Sequence, residues 1–381
     1  MVIIKSFAVS LTLFVIAYAY PYAMERWTPD EIAAYLYEIA MDQSSSPIED
    51  IGFDTDNQGL GMVVSVDVDT NGDLFVFHRA DRPWTKDTFQ ENNELSVEAR
   101  TPISKDTIYK VNPTTGRLIT SFGGNFYNVP HGITIDGNKN IWTTDVGRHQ
   151  VFRFSNNSTT PNLILGEKFV PGGDDSHFCK PTDVAVASNG EFFISDGYCN
   201  SRVLKYSKDG KLIAKWGTKS VNDELTPFTL DIPHSITLVE ELDLVCVADR
   251  ENSRALCYNA GLGTNKKVGT FNRTLVPQDD IGKVYAIFYN KADREMIVAA
   301  GIALTPYDNA GQETFPARAY TYSLYGQEKD AWAYITPEIA SDGPSIIHDL
   351  CASKDGQDYF LADIYKQKVL KYTKKYPGGI V

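Results

Sequence analysis

From about residue 63 the chain alternates apolar and polar residues in short runs. VVSVDV at 63–68 sets Val64, Val66 and Val68 on one face and Ser65 and Asp67 on the other, and Asn71-Gly72 follows as a hairpin turn. The plan recurs. Residues 129–154 read VPHGITIDGNKNIWTTDVGRHQVFRF, and related strings fill 180–206, 232–258 and 346–372. Each has an alternating apolar run, a polar turn and a second apolar run. An Asp follows (Asp145, Asp196, Asp249, Asp363), then a third run ending in an aromatic. A degenerate copy, VYAIFYNKADREMIVAA, keeps the alternation and one turn. Six repeats begin near Val66, His131, Asp183, His234, Tyr285 and His348, with 51 or 52 residues between the middle ones and 65 and 63 at the two ends. Strand-rich units of this length predict an all-β, six-bladed β-propeller over residues 61–375. The last strand, KVLKYT, falls to the sixth blade, and closure draws on the amino-terminal side.

The flanks follow other patterns. Residues 1–19 carry Lys5, an apolar core and Ala17-Tyr18-Ala19, the layout of a cleaved signal peptide. Within 20–60, Thr28-Pro29-Asp30-Glu31 is a helix start, and Ile32, Leu36 and Ile39 share one face, which predicts a short amphipathic helix over 29–41. Residues 43–60 read as a linker and 376–381 as a tail. Residues 81–105 interrupt the first repeat with a long polar insertion, and covering a site is one role for such a loop. A formal charge of -13 argues against a nucleic-acid surface. A secreted or secretory-lumen protein is expected, a monomer without a stable membrane span. The five cysteines suit an oxidising lumen; spacing leaves their connectivity open, local pairing within a repeat is simplest, and Cys351 is left over as a buried thiol. Asn156, Asn157 and Asn272 open glycosylation sequons.

Three of the six histidines, His131, His234 and His348, hold one register in repeats two, four and six. The first strand of a blade lies nearest the axis, so alternate blades would bring three imidazoles together from about 120° apart, by six-fold symmetry. A lone strand histidine is more often a hydrogen-bonded core residue. Three in register favour a His₃ site with an open position, the pattern of catalytic Zn²⁺. His78 fits a structural role, and His149 and His177 fall in turns expected to be solvated. Arg79, Tyr198 and Arg250 sit at the same end of their repeats. Arginine suits an anionic substrate, although ion pairs with Asp145 or Asp249 compete for that role; Tyr198 is a candidate base. Asp145, Asp196 and Asp363 are assigned to turn amides. Asp349 points away from His348 and could bind a structural Ca²⁺ with backbone carbonyls.

At these residues the chain closely resembles the peptidyl-α-hydroxyglycine α-amidating lyases, which carry out the second step of peptide C-terminal amidation. The matching strings are VFHRADRPW, VPHGITID, HFCKPTDVAVASNGEFFISDGYCNSRVLKY, IPHSITLV, VCVADRENSRALCY and IIHDLCAS, across most of residues 66–372. The resemblance implies a six-bladed propeller with catalytic Zn²⁺ on His131, His234 and His348. It implies active-site roles for Arg79, Tyr198 and Arg250, and structural Ca²⁺ at main-chain oxygens of Val66 and Ile133 with Asp349. It also implies disulfides Cys179–Cys199 and Cys246–Cys257. Ala80 and Arg82 stand where the family usually has Gly and His. With no monooxygenase unit ahead of the propeller, a monofunctional lyase is expected, acting on peptides that end in α-hydroxyglycine. A lactonase-like propeller hydrolase would instead ring Ca²⁺ with acidic and amide groups, and a non-enzymatic NHL-type propeller binding protein would leave the histidine register without a use.

Overall fold

The computed structural model describes residues 46–374 except 57, 220–223, 264–266, 279–280, 302–316 and 336–344. The expected leader, the helix over 29–41 and the tail lie outside these residues. Six four-stranded antiparallel sheets form the blades of a propeller. Blade 1 contains Val63–Val68, Leu74–His78, Ile108–Val111 and Leu118–Phe122. Blade 2 contains Pro130–Ile135, Ile141–Asp145, Gln150–Phe154 and Pro161–Leu165, and blade 3 Pro181–Val186, Phe192–Asp196, Arg202–Tyr206 and Leu212–Trp216. Blade 4 contains Pro233–Val239, Leu244–Asp249, Arg254–Asn259 and Phe271–Val276, and blade 5 Val284–Asn290, Glu295–Ala300, Ala317–Ser323 and Glu328–Ile335. Blade 6 contains Ile347–Ala352, Asp358–Asp363 and Lys368–Thr373, and its outermost strand is Ile48–Glu49.

That outermost strand changes the expected linker. Ile48 lies opposite Thr373 and Glu49 opposite Tyr372. The segment that follows is anchored: Phe53 packs on Phe360 with ring centroids 5.7 Å apart, and Val369 N donates to Thr55 Oγ1 at 3.1 Å.

Second strands such as Phe192–Asp196 and Leu244–Asp249 are buried at every position. Each sheet is covered by a neighbour on both faces, so these strands read as near-continuous apolar runs while outer strands such as Leu212–Trp216 alternate. Between blades 2 and 3, Trp142 meets Phe192 at 4.5 Å, and Phe192 stacks on Tyr206 at 5.3 Å. Cys179–Cys199 and Cys246–Cys257 are disulfides, and Cys351 is a buried free thiol.

Each inner strand carries a β-bulge at the same level. The register shifts fall at Val64, at His131 with Gly132, and at Thr182, His234, Tyr285 and His348. A bulge adds one residue and re-aims side chains. The ring positions of blades 1 and 3 are therefore Val64 and Thr182, not the Val66 and Asp183 that uniform alternation suggests.

The aspartate that closes the second strand of blades 2, 3, 4 and 6 is structural. Asp145 accepts N–H bonds from Asn128 (2.6 Å), Val129 (3.0 Å), Gly147 (2.9 Å) and Arg148 (2.9 Å), tying the entry of the blade to its second turn. Asp249 accepts from Asp231 N at 2.7 Å and pairs with Arg254 Nε at 2.7 Å. Asp145→Ala would strand these amides in a buried turn. It is expected to cost about 3 kcal/mol or more of stability, read from urea unfolding midpoints; a loss within about 0.5 kcal/mol, the surface range, would show that water replaces the carboxylate.

Candidate metal centre and active site

The bulges of blades 2, 4 and 6 aim their histidines at the axis. The ring centroids of His131, His234 and His348 lie 4.6–4.8 Å apart, and one ligand nitrogen from each falls within 4.8 Å of the others. Each Nδ1 bonds the bulge carbonyl of the next blade: His131 to Thr182 O at 2.8 Å, His234 to Tyr285 O at 2.6 Å, and His348 to Val64 O at 2.6 Å. A carbonyl only accepts, so each Nδ1 carries the proton and each Nε2 presents its lone pair. Burial drives the histidine pKa values down, to about 3 for His348, so all three are neutral. Three neutral imidazoles oriented by backbone carbonyls fit a transition-metal ion.

Tyr198 Oη sits beside them, 3.0 Å from His131 Nε2 and 3.4 Å from His234 Nε2. It stands in the blade 3 turn just after Asp196. Arg250 follows Asp249 in blade 4, and its Nη1 donates to Tyr198 Oη at 3.4 Å. The guanidinium lies over the rings of Tyr198 (5.2 Å) and Tyr285 (5.5 Å), while Nε and Nη2 each lie 2.8 Å from Glu251 Oε1. Burial opposes this charge, but Tyr198, Glu251 and Tyr285 outweigh it and hold the pKa above its usual value. Arg79 is buried at the end of the second strand of blade 1, and its Nε donates to Pro130 O at 2.9 Å. Burial pulls its pKa down to about 10, so it remains a cation at neutral pH. Its Nη2 is buried with no hydrogen-bond partner among the described residues. Neither arginine pairs with the competing aspartate: Asp145 is taken up by amides, and Asp249 by Arg254.

The insertion over 81–105 is fastened to this rim. Arg82 donates to Ala99 O at 2.7 Å and Thr101 O at 2.8 Å, Lys180 Nζ donates to Asn93 Oδ1 at 2.9 Å, and Leu95 and Ala99 are buried against Val129 and Val146. It brings Trp84 to 5.0 Å from the Arg79 guanidinium and 4.9 Å from the Tyr198 ring. It also covers His149, which is buried rather than solvated: Phe89 lies 6.2 Å from its ring, and its Nδ1 accepts from Lys180 N at 3.0 Å. His177 is half-buried, bonded to Asp174 at 2.8 Å and Glu167 at 3.2 Å. His78 is buried, with Nδ1 accepting from Ala80 N at 3.1 Å. Sequence reasoning did not single out Trp84 or Glu251; an aromatic within the insertion and an acid next to Arg250 were the available signals.

An NHL repeat model matches residues 127–154 and 178–206. The chain is 43% identical over 233 residues to the Drosophila melanogaster protein named "Peptidyl-alpha-hydroxyglycine alpha-amidating lyase 2", covering 61% of this chain and 56% of that one. It is 40% identical over 237 residues to the Caenorhabditis elegans protein named "Probable peptidyl-alpha-hydroxyglycine alpha-amidating lyase pgal-1", covering 62% of this chain and 67% of that one. The chain belongs to the peptidyl-α-hydroxyglycine α-amidating lyase family. It spans little more than half the length of the Drosophila relative. Among solved structures, Kuenenia stuttgartiensis hydrazine synthase matches 86% of this chain and 100% of its own with a TM-score of 0.52 and 7% identity, a likeness of fold alone.

At the other mouth of the channel, this member of the lyase family gathers Asp67, Asp183 and Asp349 in one pocket with Val66 and Ile133. Asp349 lies within reach of Ser65 Oγ and accepts from Val66 N at 3.1 Å, and Asp183 accepts from Ile236 N at 3.0 Å. Burial lifts all three pKa values, Asp183 to about 6 and Asp67 to about 7, and for Asp349 the Asp183 charge adds to it. A folded-state pKa above the unfolded value of 3.8 places no penalty below about pH 4 and a full one above about pH 6 for Asp183. In chelator, wild type should therefore lose stability relative to Asp183→Asn as pH rises from 4 to 6, by up to about 1.4 kcal/mol per pH unit. Denaturant unfolding of both proteins across that range checks this; a pH-independent difference would contradict it.

Proposed function

We propose that the chain cleaves peptides ending in α-hydroxyglycine into an amidated peptide and glyoxylate, with Zn²⁺ on the Nε2 atoms of His131, His234 and His348. The observation that carries this reading is the position of Tyr198 Oη, within hydrogen-bonding reach of two of the three histidines and of Arg250. Zinc held there supplies Lewis acidity to an oxygen of the substrate.

The residues of the chain account for the remainder. The substrate ends in a carbinolamide and a carboxylate. Arg79 Nη2, buried and without a partner among the described residues, and Arg250 Nη1 are the donors for that carboxylate. Tyr198, in its ionised form, takes the hydroxyl proton. The hydroxyl oxygen becomes the aldehyde oxygen of glyoxylate as the bond from Cα to the amide nitrogen breaks. The net reaction moves one proton from the hydroxyl to that nitrogen. The guanidinium charges offset the negative charge that develops on oxygen.

A structural Ca²⁺ belongs to the opposite mouth, held by main-chain oxygens of Val66 and Ile133 and the Asp349 carboxylate. The cost of keeping several carboxylates there without a cation supports it. The two disulfides support a secretory-pathway location, and residues 1–19 suit a leader. Asn156 and Asn157 are exposed and open to glycosylation, whereas the Asn272 amide is half-buried and donates to Asn259 Oδ1 at 2.9 Å.

Glyoxylate release from a short peptidyl-α-hydroxyglycine tests the reading. Release above the spontaneous rate, abolished by chelation, is expected; none from folded, zinc-loaded protein would refute it. His234→Ala should lose bound zinc, measured by elemental analysis, and turnover with it. Tyr198→Phe should keep the metal and lose about 10²–10⁴-fold in kcat; near-normal turnover would remove Tyr198 from the proton transfer.

A further inference from the structure

The buried groups of the site, Arg79 and the three histidines, can reach only the small end of a substrate. The acyl side must leave past residues that keep an exposed face, and Trp84 and Tyr198 are both half-buried there. The Trp84 indole is the apolar surface that touches both ends of the chemistry, 5.0 Å from the Arg79 guanidinium and 4.9 Å from the Tyr198 ring. Phe89 supports it from behind at 5.2 Å, and the Arg82 bonds to Ala99 and Thr101 hold its segment in place. It is thus a fixed aromatic wall at the exit from the carboxylate-binding arginine.

We infer that Trp84, with the edge of the Tyr198 ring, forms a subsite for the side chain of the residue preceding the α-hydroxyglycine, and that it selects apolar and aromatic side chains there. The inference rests on the lyase reading for the direction in which the substrate lies. A carboxylate at Arg79 and a hydroxyl beside Tyr198 leave the next residue along the peptide against the indole face. The indole packs in an apolar cluster with Leu95, Val129, Val146, Phe89 and Phe169, which suits an apolar side chain beside it. Aromatic pairs add to simple area burial, so the subsite favours Phe over Gly.

The test compares N-acetyl-Phe-α-hydroxyglycine with N-acetyl-Gly-α-hydroxyglycine. Wild type should prefer the first by about tenfold or more in kcat/KM. Trp84→Ala should bring that ratio close to one, and Trp84→Phe should restore most of it. A ratio unchanged in Trp84→Ala, with both substrates slowed equally, would show that the indole only supports Arg79 and Tyr198 and would overturn the subsite. The unhydroxylated pair N-acetyl-Phe-Gly and N-acetyl-Gly-Gly is measured alongside by calorimetry. If wild type releases no glyoxylate, the lyase reading fails. Tighter binding of the Phe peptide that disappears in Trp84→Ala would then still uphold the subsite, and equal binding would overturn it.

Discussion

The structure turns on three hydrogen bonds between blades. Each site histidine gives its Nδ1 proton to the bulge carbonyl of the next blade. One bond fixes the tautomer, aims Nε2 at the axis and couples two sheets across the channel. Orientation of the imidazoles is therefore set by backbone geometry, the stiffest part of the fold, and not by neighbouring side chains that could choose other rotamers. The residues that supply the carbonyls, Thr182, Tyr285 and Val64, occupy the ring positions of the blades without a histidine. Three blades give the histidines and the three between them give the supports.

The same economy governs the polar rim. The second turns of blades 2, 3, 4 and 6 each begin at a buried aspartate that binds amides, which fixes the place of the residues just beyond it. Tyr198 and Arg250 stand at two such places. Arg250 is further confined between two aromatic rings and held at its far end by Glu251, so one nitrogen faces the site in a defined direction. The two mouths of the channel differ in sign: guanidinium and neutral imidazole at one end, carboxylates under a burial penalty at the other. Cations are favoured at the acidic end, and a carboxylate is favoured at the basic rim.

The fold and most of the site were legible because a propeller repeats. The histidines share a register, the aspartates share a place, and the strings around them are specific to one family. What stayed hidden is what periodicity cannot carry. A bulge inserts a residue without altering apolar alternation nearby, so Val66 and Asp183 stood in for Val64 and Thr182. His149 sits in a turn with φ of 57° and looks solvated until the 81–105 insertion folds over it. The insertion itself reads as polar and loop-like, although Leu95 and Ala99 bury it and Trp84 reaches Arg79 and Tyr198. The linker reading of 43–60 missed a strand of two residues, too short for any period to show.

That short strand has a consequence for how the molecule is made. Ile48 pairs with Thr373, so the outermost strand of the last blade is among the earliest parts of the domain to be synthesised. At ordinary translation rates it waits roughly half a minute for its partner. Until then blade 6 is incomplete, the His348 bond to Val64 does not exist, and a strand edge is left open. Blades 2 to 5 can form in order of synthesis from local hairpins. The ring, and with it the third histidine of the site, is completed only when the two ends meet. Premature termination anywhere before the sixth blade therefore leaves a chain that has formed sheets but has no assembled centre.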